Sequence, residues 1–308
     1  MPLRKVFAGE ERSVTRSGNR YRIAIVIIIL LSVVLGILLQ ANQTLSEPQG
    51  SQIQENARQP STSSRTEQSP KSDSGLSLPP HLIQSVSGQD IYEGMLAFNL
   101  FYCPVLEEED ARLACENVRN SVVRVEMGSV YGSGVIFRMT ADGVIIATNR
   151  HVLDYWQEDV GVIRFPQGFY VSAQALGSAK DCDVGFLMVD GSELGVETLL
   201  TLSCVPVDEA VCQTLSRGTN AFCLGADREA GELVFQEAVV EETDRYIDTF
   251  DGEMLYLRGF AKEGMSGGGI FDGYGHFIGL LAGGTWQDEV AGVPAKQVAQ
   301  AYREIVGE

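Results

Sequence analysis

An all-β sandwich or barrel is the fold class that the sequence predicts for its C-terminal part, residues 120–308. Two observations predict it. From Ser121 onward the chain breaks into short apolar runs separated by turn residues, and sustained helical periodicity is scarce there. A third observation predicts one closing helix: after Pro294, Val298, Ala301, Tyr302 and Ile305 recur at helical spacing.

The elements follow in order. Val122, Val123, Val125 and Met127 open the strand-like part, followed by Gly134–Arg138 and Val144–Thr148. Ala141-Asp142-Gly143 lies between the last two runs and predicts a hairpin, because Asp-Gly accommodates a positive φ. Further apolar runs at 162–165, 184–189, 233–240, 254–257 and 277–282 complete the strand set.

Upstream of residue 120 the composition changes three times. Residues 1–22 hold six Lys/Arg and two Glu, a net charge of +4. The run Ile23 to Leu39 is uncharged and apolar, interrupted only by Ser32 and Gly36. Residues 23–40 are long enough to cross a bilayer core, and no small-x-small cleavage site follows, so a signal-anchor helix is expected rather than a cleaved signal peptide. The basic residues before it place the N-terminus in the cytoplasm and everything beyond residue 40 outside. Residues 41–80, rich in Ser, Gln and Pro, bury too little apolar surface to offset chain entropy and predict a disordered tether. Residues 81–119 predict a helical extension, with a helix whose first turn is Glu107–Asp110, continuing through Arg119.

The overall charge of −18 hides an asymmetry. With +4 over residues 1–22 and none over 23–40, the remainder carries −22. An acidic ectodomain argues against nucleic acid as a partner, since that needs a basic footprint. All six cysteines lie between Cys103 and Cys223, a clustering that fits an oxidising compartment and up to three disulfides. The local pairings are Cys103 with Cys115 and Cys204 with Cys212, among the 15 connectivities that six cysteines allow. Paired C-x-x-C spacing is missing and the three histidines are far apart, so no metal is expected. No phosphate-binding glycine loop precedes a helix, so no nucleotide or other cofactor is expected.

Acyl transfer by serine requires a hydroxyl, a base to take its proton, and N–H donors for the oxyanion. The candidate bases are His81, His151 and His276. His81 ends the polar tether beside Pro79-Pro80, and His276 sits in the turn-like Gly275-His276-Phe277. His151 follows the Val144–Thr148 strand and is best placed. Asp183 opens an apolar run 32 residues later, where it would be partly buried and able to orient an imidazole, with Asp181 as the fallback. Gly264-Met265-Ser266-Gly267-Gly268-Gly269 presents a serine among glycines that let backbone N–H groups approach a carbonyl.

Taken together, Gly132-Ser133-Gly134-Val135-Ile136-Phe137, Thr148-Asn149-Arg150-His151-Val152, Asp183-Val184-Gly185-Phe186-Leu187 and Gly264-Met265-Ser266-Gly267-Gly268 with Ile278-Gly279 resemble the chymotrypsin-like serine peptidases. Bacterial trypsin-like and HtrA-type (DegP-like) peptidases are the nearest likeness, from about Asn120 to Val306. The order His, Asp, Ser is that of the family template. The resemblance implies a double β-barrel with a C-terminal helix. It further implies His151 as general base then acid, Asp183 as its orienter, Ser266 as nucleophile, and the N–H groups of Gly264 and Ser266 as the oxyanion hole.

The departures from the family pattern are Gly185 where Ala is usual, Gly269 where Pro is usual, and Arg150, expected to face solvent. No PDZ-like segment is expected after Ser266. In the resembled family the residue six before the serine floors the P1 pocket, here Phe260, and the position of the histidine found in glutamate-specific relatives is Leu281. With Leu280 and Ala282 these predict an apolar or small P1 preference. The nucleophile-elbow pattern of α/β-hydrolases also fits Gly264–Gly268, but that fold places its His well after the Ser and alternates strands with helices. Two functions follow: an anchored serine endopeptidase acting on proteins or peptides, or a catalytically weak binding or sensing module of the same fold.

Overall fold

The computed structural model describes residues 87–229, 231–285 and 287–307. The basic tail, the 23–40 span, the 41–80 tether and His81 lie outside the described residues. Among the described residues no helix is long and apolar enough to cross a membrane.

Strand β3 (Gly143–Thr148) shows how the architecture is built, because all six of its residues are buried. Alternate side chains of a strand point to opposite faces. Val144 and Ile146 therefore enter one apolar cluster while Ile145 and Ala147 enter another. The first cluster is the interior of a seven-stranded antiparallel sheet. It is formed by β1 (Val122–Met127), β2 (Val130–Thr140), β3, β4 (Val162–Arg164), β5 (Tyr170–Ser172), β6 (Gln174–Ser178) and β7 (Gly185–Asp190), in the order β5-β4-β1-β2-β3-β7-β6. The second half is a closed barrel of β8 (Asn220–Ala226), β9 (Leu233–Ile247), β10 (Gly252–Gly259), β11 (Gly269–Asp272), β12 (Phe277–Gly284) and β13 (Glu289–Pro294). It has its own interior around Cys223, Leu255, Met265 and Ile270. The remaining cluster lies between the halves and joins Val135, Phe137 and Phe186 of the first to Phe222, Phe271 and Leu280 of the second.

The predicted runs at 162–165, 184–189, 233–240, 254–257 and 277–282 each coincide with a strand, to within one residue at Phe165 and Val184, and the hairpin turns at Ala141-Asp142. Strand β8 was not expected. It is buried on both faces, with Ala221 and Cys223 towards the barrel interior and Phe222 and Leu224 towards the interface, so it lacks a polar alternation.

Helices flank this β framework. Helix α1 (Gly88–Ala97) starts at a reciprocal cap, with the Asp90 N–H donating to Ser87 Oγ at 3.1 Å and the Ser87 N–H donating to Asp90 Oδ2 at 2.9 Å. The Ser87 hydroxyl, donating to Asp90 Oδ2 at 2.7 Å, and then the Ser87 N–H hold the Asp90 carboxyl below its ordinary pKa. Helix α2 (Ala111–Val118) begins later than the acidic run predicted. Asp110 caps it, accepting the N–H groups of Arg112 and Leu113 at 3.1 and 3.0 Å. Glu107 to Glu109 stay outside the helix because this stretch bonds to the second half, as in Leu106 N–H to Tyr274 O at 2.9 Å. Short helices follow: α3 (Arg150–Leu153), α4 (Gly191–Leu194), α5 (Val196–Leu199) and α6 (Glu209–Thr214). The closing helix α7 (Ala295–Val306) buries Val298, Ala301 and Tyr302, as its periodicity predicts. Tyr302 packs its ring against Phe137 and Phe186 of the first half.

All six cysteines are unpaired in this structure, which departs from the expected disulfides. Cys204 belongs to the interior of the first half, whereas Cys212 packs against the interface cluster, so the backbone sends them to different cores. Cys103 and Cys115 border the same interface cluster without bonding. Burial pushes the Cys204 and Cys223 thiols up to about 12 and Cys103 up to about 11, which suits inert apolar fillers rather than nucleophiles.

Candidate active site

Strand β3 ends by turning through Asn149 into α3, and this turn delivers His151 to the surface of the first half. Three bonds tie the turn to Asp183. The Asn149 Nδ2 donates to Asp183 O at 3.0 Å, and the His151 backbone N–H donates to Asp183 Oδ1 at 3.0 Å. The imidazole closes the set, with Nδ1 lying 2.8 Å from Asp183 Oδ2. Asp183 is buried, while the His151 side chain is half-exposed. With Nδ1–H donating to the carboxylate, the imidazole keeps Nε2 as a lone pair facing outward. Asp181, the fallback acid, does not make this contact.

Two departures noted in the sequence now have physical reasons. Arg150 does not point to solvent. Its Nη1 donates to Ala179 O at 3.2 Å and Lys180 O at 2.8 Å, fastening the segment that carries Asp183. Gly185 pairs with Thr148 in the β3–β7 register, and a Cβ on it would collide with Leu153 of the histidine helix.

The serine comes from the second half, in the loop between β10 and β11. Met265 is fully buried in the barrel interior and anchors this loop. Gly264 and Gly267 have φ of +93° and +88°, a region that L side chains rarely adopt. A side chain on Gly267 would also collide with the carbonyl of Ser133. Around Ser266 the backbone is pinned in sequence: Arg228 N–H to Glu263 O at 3.0 Å, Ser133 N–H to Ser266 O at 2.7 Å, and Gly267 N–H to Leu281 O at 2.7 Å. The N–H groups of Gly264 and Ser266 donate to no acceptor among the described residues.

The two halves meet at Gly132. A Cβ placed there would lie 2.8 Å from Val152 Cγ1, beside His151, and 3.3 Å from the carbonyl oxygen of Ser266. The histidine helix and the serine loop therefore flank one glycine. Among the described residues no hydrogen bond joins Ser266 Oγ to His151; the hydroxyl donates to Ala282 O at 3.1 Å.

The other candidates fall elsewhere. His276 pairs with Asp272, Nδ1 to Oδ2 at 2.9 Å, and Asp272 Oδ1 accepts the N–H groups of Tyr274 and His276, so this pair closes the β11–β12 turn. Of the residues expected at the P1 pocket, Phe260 is 49% exposed and available to a ligand. Leu280 and Leu281 are fully buried, one in the interface cluster and one in the barrel interior, so their side chains cannot line an open pocket. Ala282 is buried too and presents its carbonyl to the site.

Sequence reasoning passed over Asn149, Thr148 and Ser133 as functional positions. The signal for Ser133 was the pair of glycines flanking it inside a strand, a pattern that marks close backbone approach. Among the described residues, no cluster of three His, Cys, Asp or Glu side chains could hold a metal ion.

Comparison with known proteins bears on this arrangement. Residues 132–280 match the model of the trypsin-like peptidase domain. Among solved structures, the HtrA-type protease AlgW with a tripeptide superposes with a TM-score of 0.54 at 20% identity, covering 64% of this chain and 64% of that one. A serine endoprotease from Yersinia pestis gives 0.53 at 20% identity, covering 65% and 68%. This chain thus spans a little under two thirds of the AlgW structure's length. No curated protein matches it by sequence. The likeness establishes the chymotrypsin-like double-barrel fold with its C-terminal helix. The matched segment starts at the strand that receives Ser266 and ends in β12, so it holds His151, Asp183 and Ser266 together. Over residues 132–280, a little under half of its length, the chain is thus similar to trypsin-like peptidase domains.

Proposed function

We propose that this serine peptidase is an endopeptidase anchored by residues 23–40, with its catalytic domain outside the cytoplasm. It cleaves proteins or peptides through a His151–Asp183–Ser266 triad. The observation that carries the reading is the pairing of a buried carboxylate with an outward imidazole, beside a serine flanked by two undonated N–H groups.

In this mechanism Asp183 holds His151 in the tautomer that leaves Nε2 free to accept the Ser266 proton. Rotation of Ser266 about its Cα–Cβ bond takes the hydroxyl from Ala282 O towards that nitrogen. The oxyanion formed on attack meets the N–H groups of Gly264 and Ser266, which need no reorganisation because the flanking carbonyls are already bonded. His151 then returns its proton to the leaving amine, and water releases the acyl group by the reverse steps.

Substrate would bind as an added strand. The β11 partners of β12 end at Leu280, which leaves the backbone of Ala282–Gly284 without a strand neighbour on the side of Ser266. An extended peptide can pair there, a mode that gives affinity through the main chain. The exposed, uncharged Phe260 supports a P1 site for apolar or small residues. Cleavage of a peptide library with Arg, Lys or Glu dominating P1 would reject that specificity.

A second reading is favoured by the Ser266 hydroxyl, which rests on Ala282 O rather than on His151. A domain locked that way would bind peptides with little turnover. One experiment separates the two. The full chain in detergent is expected to be labelled by a fluorophosphonate probe, and Ser266→Ala is expected to abolish labelling and casein hydrolysis. Persistent labelling of the variant overturns the nucleophile assignment, while absence of turnover in the wild type selects the binding module.

A further inference from the structure

We propose that Ser133 is the positioning residue of the oxyanion loop, its buried side chain and backbone together holding the two residues whose N–H groups form the hole. The inference rests on the reading of Ser266 as nucleophile and of Gly264 and Ser266 as oxyanion donors.

Ser133 lies in β2 of the first half and is completely buried. A hydroxyl removed from water needs partners, and this one has two. Ser133 Oγ accepts the Ala226 N–H at 2.8 Å and donates to the Gly264 carbonyl at 2.7 Å. The backbone of the same residue is committed to the same loop: its N–H donates to Ser266 O at 2.7 Å. Its own carbonyl is held from behind by Thr148 Oγ1 at 2.7 Å. One residue of the first half thus grips the carbonyls of both oxyanion residues on the second, that of Gly264 through its side chain and that of Ser266 through its backbone.

Peptide planarity turns these grips into orientation. In a trans peptide the C=O and the following N–H point in opposite directions. Arg228 N–H draws the Glu263 carbonyl to one side, which aims the Gly264 N–H to the other. The hydroxyl of Ser133 fixes the next peptide plane, setting ψ of Gly264 at a residue whose φ of +93° has few restraints of its own. Glycine is the most permissive residue in the chain, so without that bond the loop gains alternative conformations. Any residue but proline would keep the N–H contact to Ser266. Only a side chain with a short, well-placed donor keeps the contact to Gly264, so the serine identity acts through Gly264.

The test compares kinetic constants of the full chain carrying Ser133→Ala with those carrying Ser121→Ala. Ser121 is an equally buried serine whose hydroxyl donates to Val118 O at 2.6 Å and lies against the Cys103 thiol, with no bond to the oxyanion loop. Removing an oxyanion donor costs roughly 100- to 1000-fold in kcat, so loss of a strut one step away is expected to cost about 10- to 100-fold. KM should stay within about threefold, and binding of a peptide boronate should weaken in parallel with kcat, as expected when only transition-state contacts are lost. Ser121→Ala should lower the melting temperature without that kcat loss. A Ser133→Ala enzyme with wild-type kcat, or one whose loss is matched by Ser121→Ala at equal stability, overturns the proposal. If Ser133→Ala melts too low to assay, Ser133→Cys keeps the volume but replaces the hydroxyl by a weak donor, and wild-type kcat there overturns it equally. Turnover by Ser266→Ala would instead defeat the site assignment itself, independently of Ser133.

Discussion

The acid–base pair and the nucleophile are built in different ways. His151 and Asp183 both belong to the half built on the seven-stranded sheet and are joined within it by side-chain and backbone bonds to a single residue, Asp183. Ser266 comes from the closed barrel, yet part of what orients its loop belongs to the other half, at Ser133. The base is thus self-contained, whereas the nucleophile and its oxyanion donors are right only when both halves are assembled. Local damage to the sheet should detune the base alone, and damage at the interface should disable the serine while sparing the His–Asp pair.

Three substitutions probe that contrast. Asp183→Asn, on the self-contained side, is expected to lower kcat by roughly 10,000-fold through the wrong imidazole tautomer, with the fold intact by circular dichroism. Retention of more than a tenth of wild-type kcat would contradict the assignment of Asp183. Gly267→Ala forces a side chain into the Ser133 carbonyl at a positive φ, so it should cost at least about 100-fold in kcat. The His151–Asp183 hydrogen bond should persist in that variant, visible as a downfield imidazole proton by NMR; its disappearance would show that the halves are not separable. Arg150→Ala removes the two bonds to the 179–180 carbonyls at a partly exposed site, so about 1–2 kcal/mol of stability and a several-fold fall in kcat are expected. An unchanged denaturation midpoint and kcat would show that the Asp183 segment stands without it.

How far the sequence could be read follows the same division. The base half was legible because its signals are local: an apolar strand running into His151, and Asp183 opening another. Ser266 was legible from its glycines. Strand β8 was not, since a strand buried on both faces, with Ala221, Cys223 and Gly225 among its residues, shows neither alternation nor bulk. Leu280 and Leu281 were expected at the pocket because sequence gives their position along the strand but not which face meets solvent. Ser133 escaped because its partners are 93 and 131 residues away, a distance at which only the assembled fold brings donors to acceptors. The cysteines show the opposite failure: closeness along the chain did not pick out neighbours in space, because Cys204 and Cys212 are sent to separate cores while Cys204 lies beside Cys103, whose N–H donates to Cys204 O at 2.9 Å.

The stretch before the matched segment has a consequence for where this domain can be cut. Helix α1 seals the open sheet, with Tyr92 buried and its hydroxyl on Thr140 O at 2.7 Å, and the Phe101 ring tilted against it. Further along, Ala114 and Val118 of α2 are fully buried in the interface cluster, and Asp110 N–H bonds to Gly273 O in the β11–β12 turn at 3.0 Å. The segment is a belt buckled to both halves. A fragment trimmed to begin at residue 120 is expected to expose the apolar floor beneath that belt and associate with itself, whereas one begun before Ser87 keeps the belt fastened.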